Sequence, residues 1–414
     1  MKKFDKHFRM RNSDVIEYVN ERIDFFDKNA ILSCEEIGDG NVNYVFRVVD
    51  NVSGKSIIIK HSDIKSRRTL VPLHVERNWL ETEILQNQWN LAPGMVPKVY
   101  HHDNIMALVA MEDLSDHTIM RSGLIAHIKY PNFSDQISSF LVQSLLPTTD
   151  IVMNPSKKKE LVKKFTNIVL CEVSERLVFS EPYTNINNNN KVFEPVAALV
   201  DQELYKDKTL HLEVGKLKNA FQNNSQALIH GDLHTGSIFV KEDSMKIIDP
   251  EFAFYGPIGY DVGNVIAHLL FGWANAYATI ENAEVRNDYL LWIEDTIASI
   301  IDLLKIKFKE MYREIVTDVY AKNTDFMNWY LDGILADSAG FTGTELHRRI
   351  AGSTAKVLDL TSIKQSDKRA LVEKILILLG KELILRRKSY KEGKNYSDTI
   401  KKYAHYGTVA KGEI

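Results

Sequence analysis

Residues 228–251, LIHGDLHTGSIFVKEDSMKIIDPE, hold the side chains best suited to chemistry in this chain. A His-Gly-Asp-Leu-His turn follows a short apolar run and carries one carboxylate, Asp232, among small residues. Two β-like runs, 237–240 and 245–248, flank a polar turn, and the second ends in Asp249-Pro250-Glu251. One carboxylate near a hydroxyl nucleophile, and a carboxylate pair able to hold Mg²⁺ on phosphates, are what phosphoryl transfer needs. This pattern predicts a kinase-like site, with Asp232 accepting the hydroxyl proton and Asp249 and Glu251 as metal ligands. His230 and His234 lack a third ligand at close spacing, so they read as loop architecture and not as a zinc site.

Other residues extend that site. Gly38 and Gly40 fall at a turn leading into a strand pair, where glycine lets backbone N–H groups approach phosphate oxygens. The third glycine of a full G-x-G-x-x-G is missing, which leaves Asn41 and Asn43 to cover phosphates or ribose. Lys60 ends the apolar strand Ile57-Ile58-Ile59-Lys60, in place to reach the α- and β-phosphates of a nucleotide. Glu81 and Glu83 are candidates to hold that lysine. They differ by about 200° around a helix, so only one can face it, and Glu81 is the preferred partner. Arg348 and Arg349 sit side by side in a small-residue helix, suited to charge on a transferring phosphoryl group or to sugar oxygens. Neighbours on a helix point about 100° apart, so one arginine enters a cleft while the other braces it. Asp261, just before an apolar helix, reads as its N-cap.

The elements that must position these groups follow from periodicity. Ser13 begins an amphipathic helix. Residues 42–49 and 56–60 form a hairpin around Asn51-Val52-Ser53-Gly54, 76–89 a helix, and 96–100 and 105–111 two further strands. After Leu114 the pattern is mostly helical. The expected fold class is α+β and bilobal, with a small N-terminal lobe of antiparallel sheet and helix over residues 1–113. A larger, mainly helical lobe spans 114–414. The four consecutive asparagines in 186–190 mark a surface loop, and the lysines of 157–164 and of the last thirty residues a solvated helix face.

With 414 residues the chain is long enough for two cores. A net charge of −3 provides no basic field and excludes nucleic acid as the main partner. Cys34 and Cys171 lie far apart, which argues against a disulfide framework and fits a reducing cytosol. The charged N-terminus lacks a following apolar region, so no signal peptide is expected. Residues 262–280 are apolar but carry Asn264, His268 and Asn275, as a buried helix would and a membrane span would not.

HGDLHTGSIFV followed by IIDPEFAFYGPIGYDVGN resembles the S-methyl-5-thioribose kinase family, within the wider fold of choline kinases and aminoglycoside phosphotransferases. The segments GDGNVNYVF, VAMEDLSDHTIMRSGLI and GFTGTELHRRIAG match the same family pattern, in order, over about residues 36–360. The wider fold has Asn five residues after the catalytic Asp and a second Asp in the metal motif. Ser237 and Glu251 stand there instead, and both departures are features of methylthioribose kinases.

Residue by residue, the resemblance implies that Asn43 and Lys60 contact ATP. Met111, Glu112 and Asp113 would form the adenine hinge, and Asp249, Pro250 and Glu251 the Mg²⁺–ATP segment. Asp232 would bind the sugar and act as base, with Arg348 and Arg349 at the sugar and transferring phosphate. The implied reaction is ATP-dependent phosphorylation of 5-methylthioribose at its anomeric hydroxyl, in the methionine salvage of the cytoplasm, by a homodimer. Two rivals remain: the same fold acting on choline, an aminoglycoside or another small alcohol, and a catalytically silent nucleotide-binding protein. The twin arginines oppose a cationic acceptor, which wants an acidic or aromatic pocket. The presence of Lys60, Asp232, Asp249 and Glu251 opposes the silent protein.

Overall fold

The computed structural model describes residues 3–37, 43–62, 76–355 and 357–409. Gly38, Gly40 and Asn41 lie outside the described residues. The fold class is α+β: an N-terminal antiparallel sheet with helices, then a mostly helical remainder. Two compact units divide the chain, Met1–His117 with Lys246–Glu251, and Thr118–Met245 with Phe252–Ile414.

The first unit opens with helix α1 (Asn12–Arg22). Its start is set one residue before Ser13, because the Asp14 carboxylate accepts from Arg11 N at 2.9 Å and ties down the first turn there. Strands β1 (Leu32–Glu36), β2 (Asn43–Asp50), β3 (Ser56–Ser62), β4 (Val99–Asp103) and β5 (Leu108–Glu112) form one sheet in the order β1-β2-β3-β5-β4. Every neighbouring pair is antiparallel. Asp50 closes the β2–β3 hairpin by accepting from Ile31 N, Val52 N and Ser53 N. Phe46, Val48, Ile57, Ile59 and Leu108 pack with Val15, Tyr18 and Val19 of α1 in one core. Helix α2 (Glu76–Leu91) packs on β4 and β5.

Both strands after α2 begin three residues later than their hydrophobic pattern suggests. Pro97 has no N–H for a ladder, so β4 starts beyond it. Before β5, the Asp103 carboxylate caps Ile105 N and Met106 N in a turn that ends at Ala107, whose φ is +48°. Hydrophobicity alone does not distinguish that turn from a strand.

In the second unit, β6 (Thr118–Ile119) leads into α3 (Met120–Ile125), α4 (Phe133–Leu145), α5 (Pro155–Lys164), α6 (Ile168–Phe179), α7 (Glu181–Thr184), α8 (Ala197–Val200) and α9 (Lys208–Asn223). Strands β7 (Ala227–Ile229), β8 (Ile238–Lys241) and β10 (Phe254–Gly256) follow, β7 pairs with β10, and β9 (Ser244–Ile247) runs across the boundary at Met245 into the Lys246–Glu251 segment of the first unit. Then come α10 (Ile258–Thr279), α11 (Ala283–Ile315), α12 (Thr324–Ala351), α13 (Leu358–Thr361), α14 (Ser366–Leu385) and α15 (Gly393–Val409). Helix α10 is buried along nearly its whole length and packs on α12, which packs on α14. Among the described residues no helix is long and apolar enough to cross a membrane.

Glycines let α10 and α12 approach closely. A methyl group on Gly263 would stand 2.7 Å from Thr342 N, and one on Gly259 2.6 Å from Ser338 N. The lysine-rich α5 is not wholly a solvated face. Lys158 is 2% exposed and donates to Thr148 O at 2.9 Å and Gln226 O at 2.8 Å, over the ring of Tyr255. Burial outweighs the nearby Asp150 and lowers this lysine to about 8. The asparagine loop is exposed from Ile186 to Asn189, while Asn190 turns inward and donates to Glu181 O and Tyr205 Oη.

Candidate active site

Two polar clusters gather the candidate residues, one in each unit. In the first unit, alternation along β3 puts Lys60 on the face opposite Ile57 and Ile59. Its buried ammonium donates to Glu81 Oε1 at 2.7 Å and to Asp249 Oδ1 at 2.5 Å. Glu81, not Glu83, is therefore the helix partner of the lysine. Burial disfavours a charged lysine, but Asp249, Glu81 and Glu251 together hold it protonated far above its ordinary range. Glu81 is raised to about 7, first by burial and then by Asp249 and Glu251, against the pull of Lys60. Glu81 and Asp249 thus share the Lys60 ammonium.

Asp249 arrives in this unit through a short return of the chain. Ile247 N donates to Met95 O at 2.8 Å, and Lys246 Nζ donates to both oxygens of Glu112. The Asp249 carboxylate is 47% exposed, and its backbone has a φ of +59° immediately before Pro250. A non-glycine residue held there costs roughly 1–3 kcal/mol, a strain that clusters at functional sites. Among the described residues no group of three or more His, Cys, Asp or Glu is arranged to hold a metal unaided. Mg²⁺ does not need one, because it commonly takes one or two carboxylates with waters and substrate phosphates. The neighbouring carboxylates of Asp249 and Glu251 are the oxygen ligands such an ion takes.

The remaining nucleotide candidates of this unit already have protein partners. The Asn43 side-chain oxygen accepts from Ser62 Oγ at 2.9 Å. Asp113 accepts from Arg47 Nε and Ser56 Oγ, both at 2.6 Å. Burial opposes its ionisation, but those bonds and Ser115 N hold it below the usual carboxylate range. Met111 lies buried between β3 and β4.

In the second unit, Asp232 sits in a turn built by backbone bonds. Gly231 adopts a φ of +81°, and a methyl group there would meet Phe252 O at 2.2 Å, so only glycine fits. Asp261 fixes the turn from below: its oxygens accept from His230 N at 2.7 Å and Gly231 N at 3.0 Å. It is not the N-cap of α10. That helix starts at Ile258 after Pro257, where Gln226 Oε1 accepts from Ile258 N, and Asp261 lies within its first turn. His230 and His234 are loop architecture, as their spacing suggests. The Nδ1 atoms of these histidines accept from Asp232 N and Gly236 N, and Ser237 Oγ lies 3.1 Å from His234 Nδ1.

The Asp232 carboxylate is flanked by two guanidiniums and an imidazole. Arg348 Nη1 and Arg349 Nη2 each lie 3.8 Å from Oδ1, and His234 Nε2 lies 3.5 Å from Oδ2. Burial pushes this carboxyl up, yet His234, Arg348 and Arg349 outweigh it and leave it below its ordinary value. Because burial lowers His234 to about 4, that imidazole is neutral near pH 7 and the arginines carry the effect. The two arginines do not divide into one that enters and one that braces, because both approach the same oxygen. Glu345 does the bracing: it accepts from Arg349 Nε at 2.7 Å and Arg348 Nη1 at 3.1 Å, and contacts His268 Nε2 at 3.1 Å.

Glu345 was legible as the first residue of an E-x-x-R-R helical pattern, since residues three and four apart are neighbours on a helix. Asp261 carried a misleading cap-like signal. His268, 77 residues from its partner Glu345, had no local signal at all.

The second unit thus holds a carboxylate between two guanidiniums, and the first a lysine shared by a glutamate and an aspartate. Residues 186–294 match the profile of the phosphotransferase enzyme family, APH. A methylthioribose kinase of Bacillus pumilus is 37% identical over 381 residues, 92% of each chain. One from Geobacillus sp. strain WCH70 is 39% identical over 89% of this chain and 90% of its own, and one from Bacillus cereus 39% over 91% and 93%. Among solved structures, a choline kinase from Cryptosporidium parvum aligns over 95% of this chain and 97% of its own, at 13% identity and a TM-score of 0.48. This chain is a phosphotransferase and belongs to the methylthioribose kinase family.

Proposed function

We propose that the protein transfers the γ-phosphoryl group of ATP to the anomeric hydroxyl of 5-methylthioribose, giving 5-methylthioribose 1-phosphate and ADP. The observation that carries this reading is Asp232, a carboxylate kept ionised beside two arginines, in a chain 37–39% identical to methylthioribose kinases over about nine-tenths of its length. The C1 oxygen attacks the γ-phosphorus, the bond to the β-phosphate oxygen breaks, and the hydroxyl proton passes to Asp232. Kinase transition states are loose, so a carboxylate that orients the hydroxyl and accepts its proton late is sufficient. Arg348 and Arg349 offset charge on the phosphoryl oxygens.

Lys60 and Asn43 contact ATP, and the backbone at Met111, Glu112 and Asp113 meets the adenine. Asp249 and Glu251, around Pro250, would hold Mg²⁺, which would offset charge on the phosphate groups. By the family resemblance, Gly38 and Gly40 would add phosphate contacts. By the family resemblance the protein works as a homodimer in cytoplasmic methionine salvage, and light scattering of the purified protein tests the dimer.

The experiment is coupled ADP release with Mg²⁺–ATP and 5-methylthioribose, ribose or choline, with ³¹P and ¹³C spectra of the product. Turnover on 5-methylthioribose with phosphorus coupled to C1 is expected. Turnover on choline alone, or phosphate on another carbon, overturns the assignment.

A further inference from the structure

We propose that Arg121 is a third arginine of the acceptor site, donating hydrogen bonds to sugar hydroxyl oxygens away from the transferred phosphate, with Asp359 as the positioning residue behind it. The inference rests on the sugar-kinase reading above and adds a residue to its acceptor side.

Arg121 belongs to α3, yet its backbone is tied to the loop that carries Asp232. Its N–H donates to Thr235 O at 3.0 Å, and the preceding strand pairs Thr118 with Val240 and Ile119 with Phe239. The guanidinium lies over Gly236, where a methyl group would meet Arg121 Nη1 at 3.0 Å and His234 Cε1 at 2.9 Å. Its Nη2 is 3.5 Å from His268 Nδ1, and the other nitrogen of that ring contacts Glu345, the residue that braces Arg348 and Arg349. Arg121 is therefore on the His234 side of Asp232, whereas the twin arginines approach Oδ1. The Arg121 and Asp232 side chains are exposed to the same degree, 21% and 20%.

The guanidinium is held but not satisfied. Asp359 is fully buried, and its Oδ2 stands 3.5 Å from Arg121 Nε, an ion-pair distance without a well-formed hydrogen bond. Among the described residues, Arg121 Nε and both Asp359 oxygens are buried without a hydrogen-bond partner. Buried polar groups left this way are unfavourable. An arginine serving only to pack would be expected to close the short gap to its carboxylate. One poised for a ligand is instead aimed by a charge behind it. Burial raises Asp359 to about 6 against the pull of Arg121, so above that pH the carboxylate is ionised and supplies the aiming charge. His268 is kept neutral by burial and does not repel the guanidinium.

Arginine has only donors, arranged in a planar fork that suits oxygen acceptors. A third guanidinium also adds to the rejection of an ammonium-bearing acceptor.

Arg121→Met, Arg121→Lys and Asp359→Asn are compared with wild type on 5-methylthioribose and its 2-deoxy and 3-deoxy analogues. Folding is followed by circular dichroism, and the KM for ATP serves as an internal control. Arg121→Met is expected to raise the sugar KM roughly 10- to 100-fold, with kcat within a few-fold and the KM for ATP unchanged. Arg121→Lys should fall between, and serves as the second variant if the methionine protein does not fold. Asp359→Asn should raise the sugar KM and add little on top of Arg121→Met. One deoxy analogue should be a poorer substrate for wild type but not for Arg121→Met. An unchanged sugar KM, a loss in kcat alone, or equal penalties for both analogues in wild type and variant overturns the role of Arg121. Absence of ADP release by wild type with every sugar overturns the underlying reading, and the proposal with it.

Discussion

Glu345→Gln removes one negative charge from the centre of a buried network and leaves its shape. In the wild type, three donors converge on the two oxygens of Glu345: Arg349 Nε at 2.7 Å, Arg348 Nη1 at 3.1 Å and His268 Nε2 at 3.1 Å. A glutamine offers one acceptor and turns an NH₂ towards the other donors, so at least one donor–donor contact is unavoidable. Deleting one partner of a buried ion pair costs roughly 3–5 kcal/mol. Asp232, 3.8 Å from both guanidiniums, compensates in part, so about 3 kcal/mol is expected.

Calorimetry of the two proteins at several pH values measures it. Burial opposes ionisation of Glu345, but Arg348, Arg349 and His268 hold its carboxyl well below its ordinary value of 4.5. A depressed folded value means that the contribution is fully present above the unfolded value and is lost as pH falls through the folded one. The gap between wild type and variant is therefore constant near neutrality and narrows only in acid. At pH 7 kcat should also fall, since the arginines would no longer be held beside Asp232. A variant that melts with wild type at pH 7 and keeps its kcat would refute this account of the arginine pair.

Three further perturbations follow from the same geometry. Gly231→Ala meets both a φ of +81° and a carbonyl oxygen 2.2 Å away, so kcat should fall at least tenfold with the melting temperature lowered, as kinetics and calorimetry will show. Asp261→Asn turns an NH₂ towards either His230 N or Gly231 N; steady-state kinetics should show a loss in kcat larger than any change in the KM for ATP. Lys60→Met strips the shared cation from Glu81 and Asp249; it should cost about 3 kcal/mol by chemical denaturation and raise the KM for ATP, and adding Glu81→Gln should restore part of the stability but not the ATP affinity.

Much of the candidate site could be read from the chain because its groups are local. Asp232 and its turn are contiguous, Asp249 and Glu251 straddle one proline, and the arginines are adjacent. Strand alternation likewise separates Lys60 from the core-facing Ile57 and Ile59. Groups that depend on packing were not legible. Asp261 has the composition of a cap, and only the closeness of α10 to the β7 turn turns its carboxylate towards two backbone N–H groups. His268, Arg121 and Asp359 come together from α10, α3 and α13, and no spacing along the chain encodes that meeting. The buried Lys158 makes the same point about composition. A lysine-rich helix is solvated on average, but one of its residues can be the anchor of the helix.

The central claim is that Asp232 orients and deprotonates the acceptor hydroxyl. Asp232→Asn keeps the size of the side chain and removes its basicity, so ADP release with saturating 5-methylthioribose and Mg²⁺–ATP tests the claim directly. The account predicts a fall in kcat of roughly 10²–10⁴-fold in a protein with unchanged circular dichroism and ATP affinity. Turnover near that of wild type in the folded variant would contradict it.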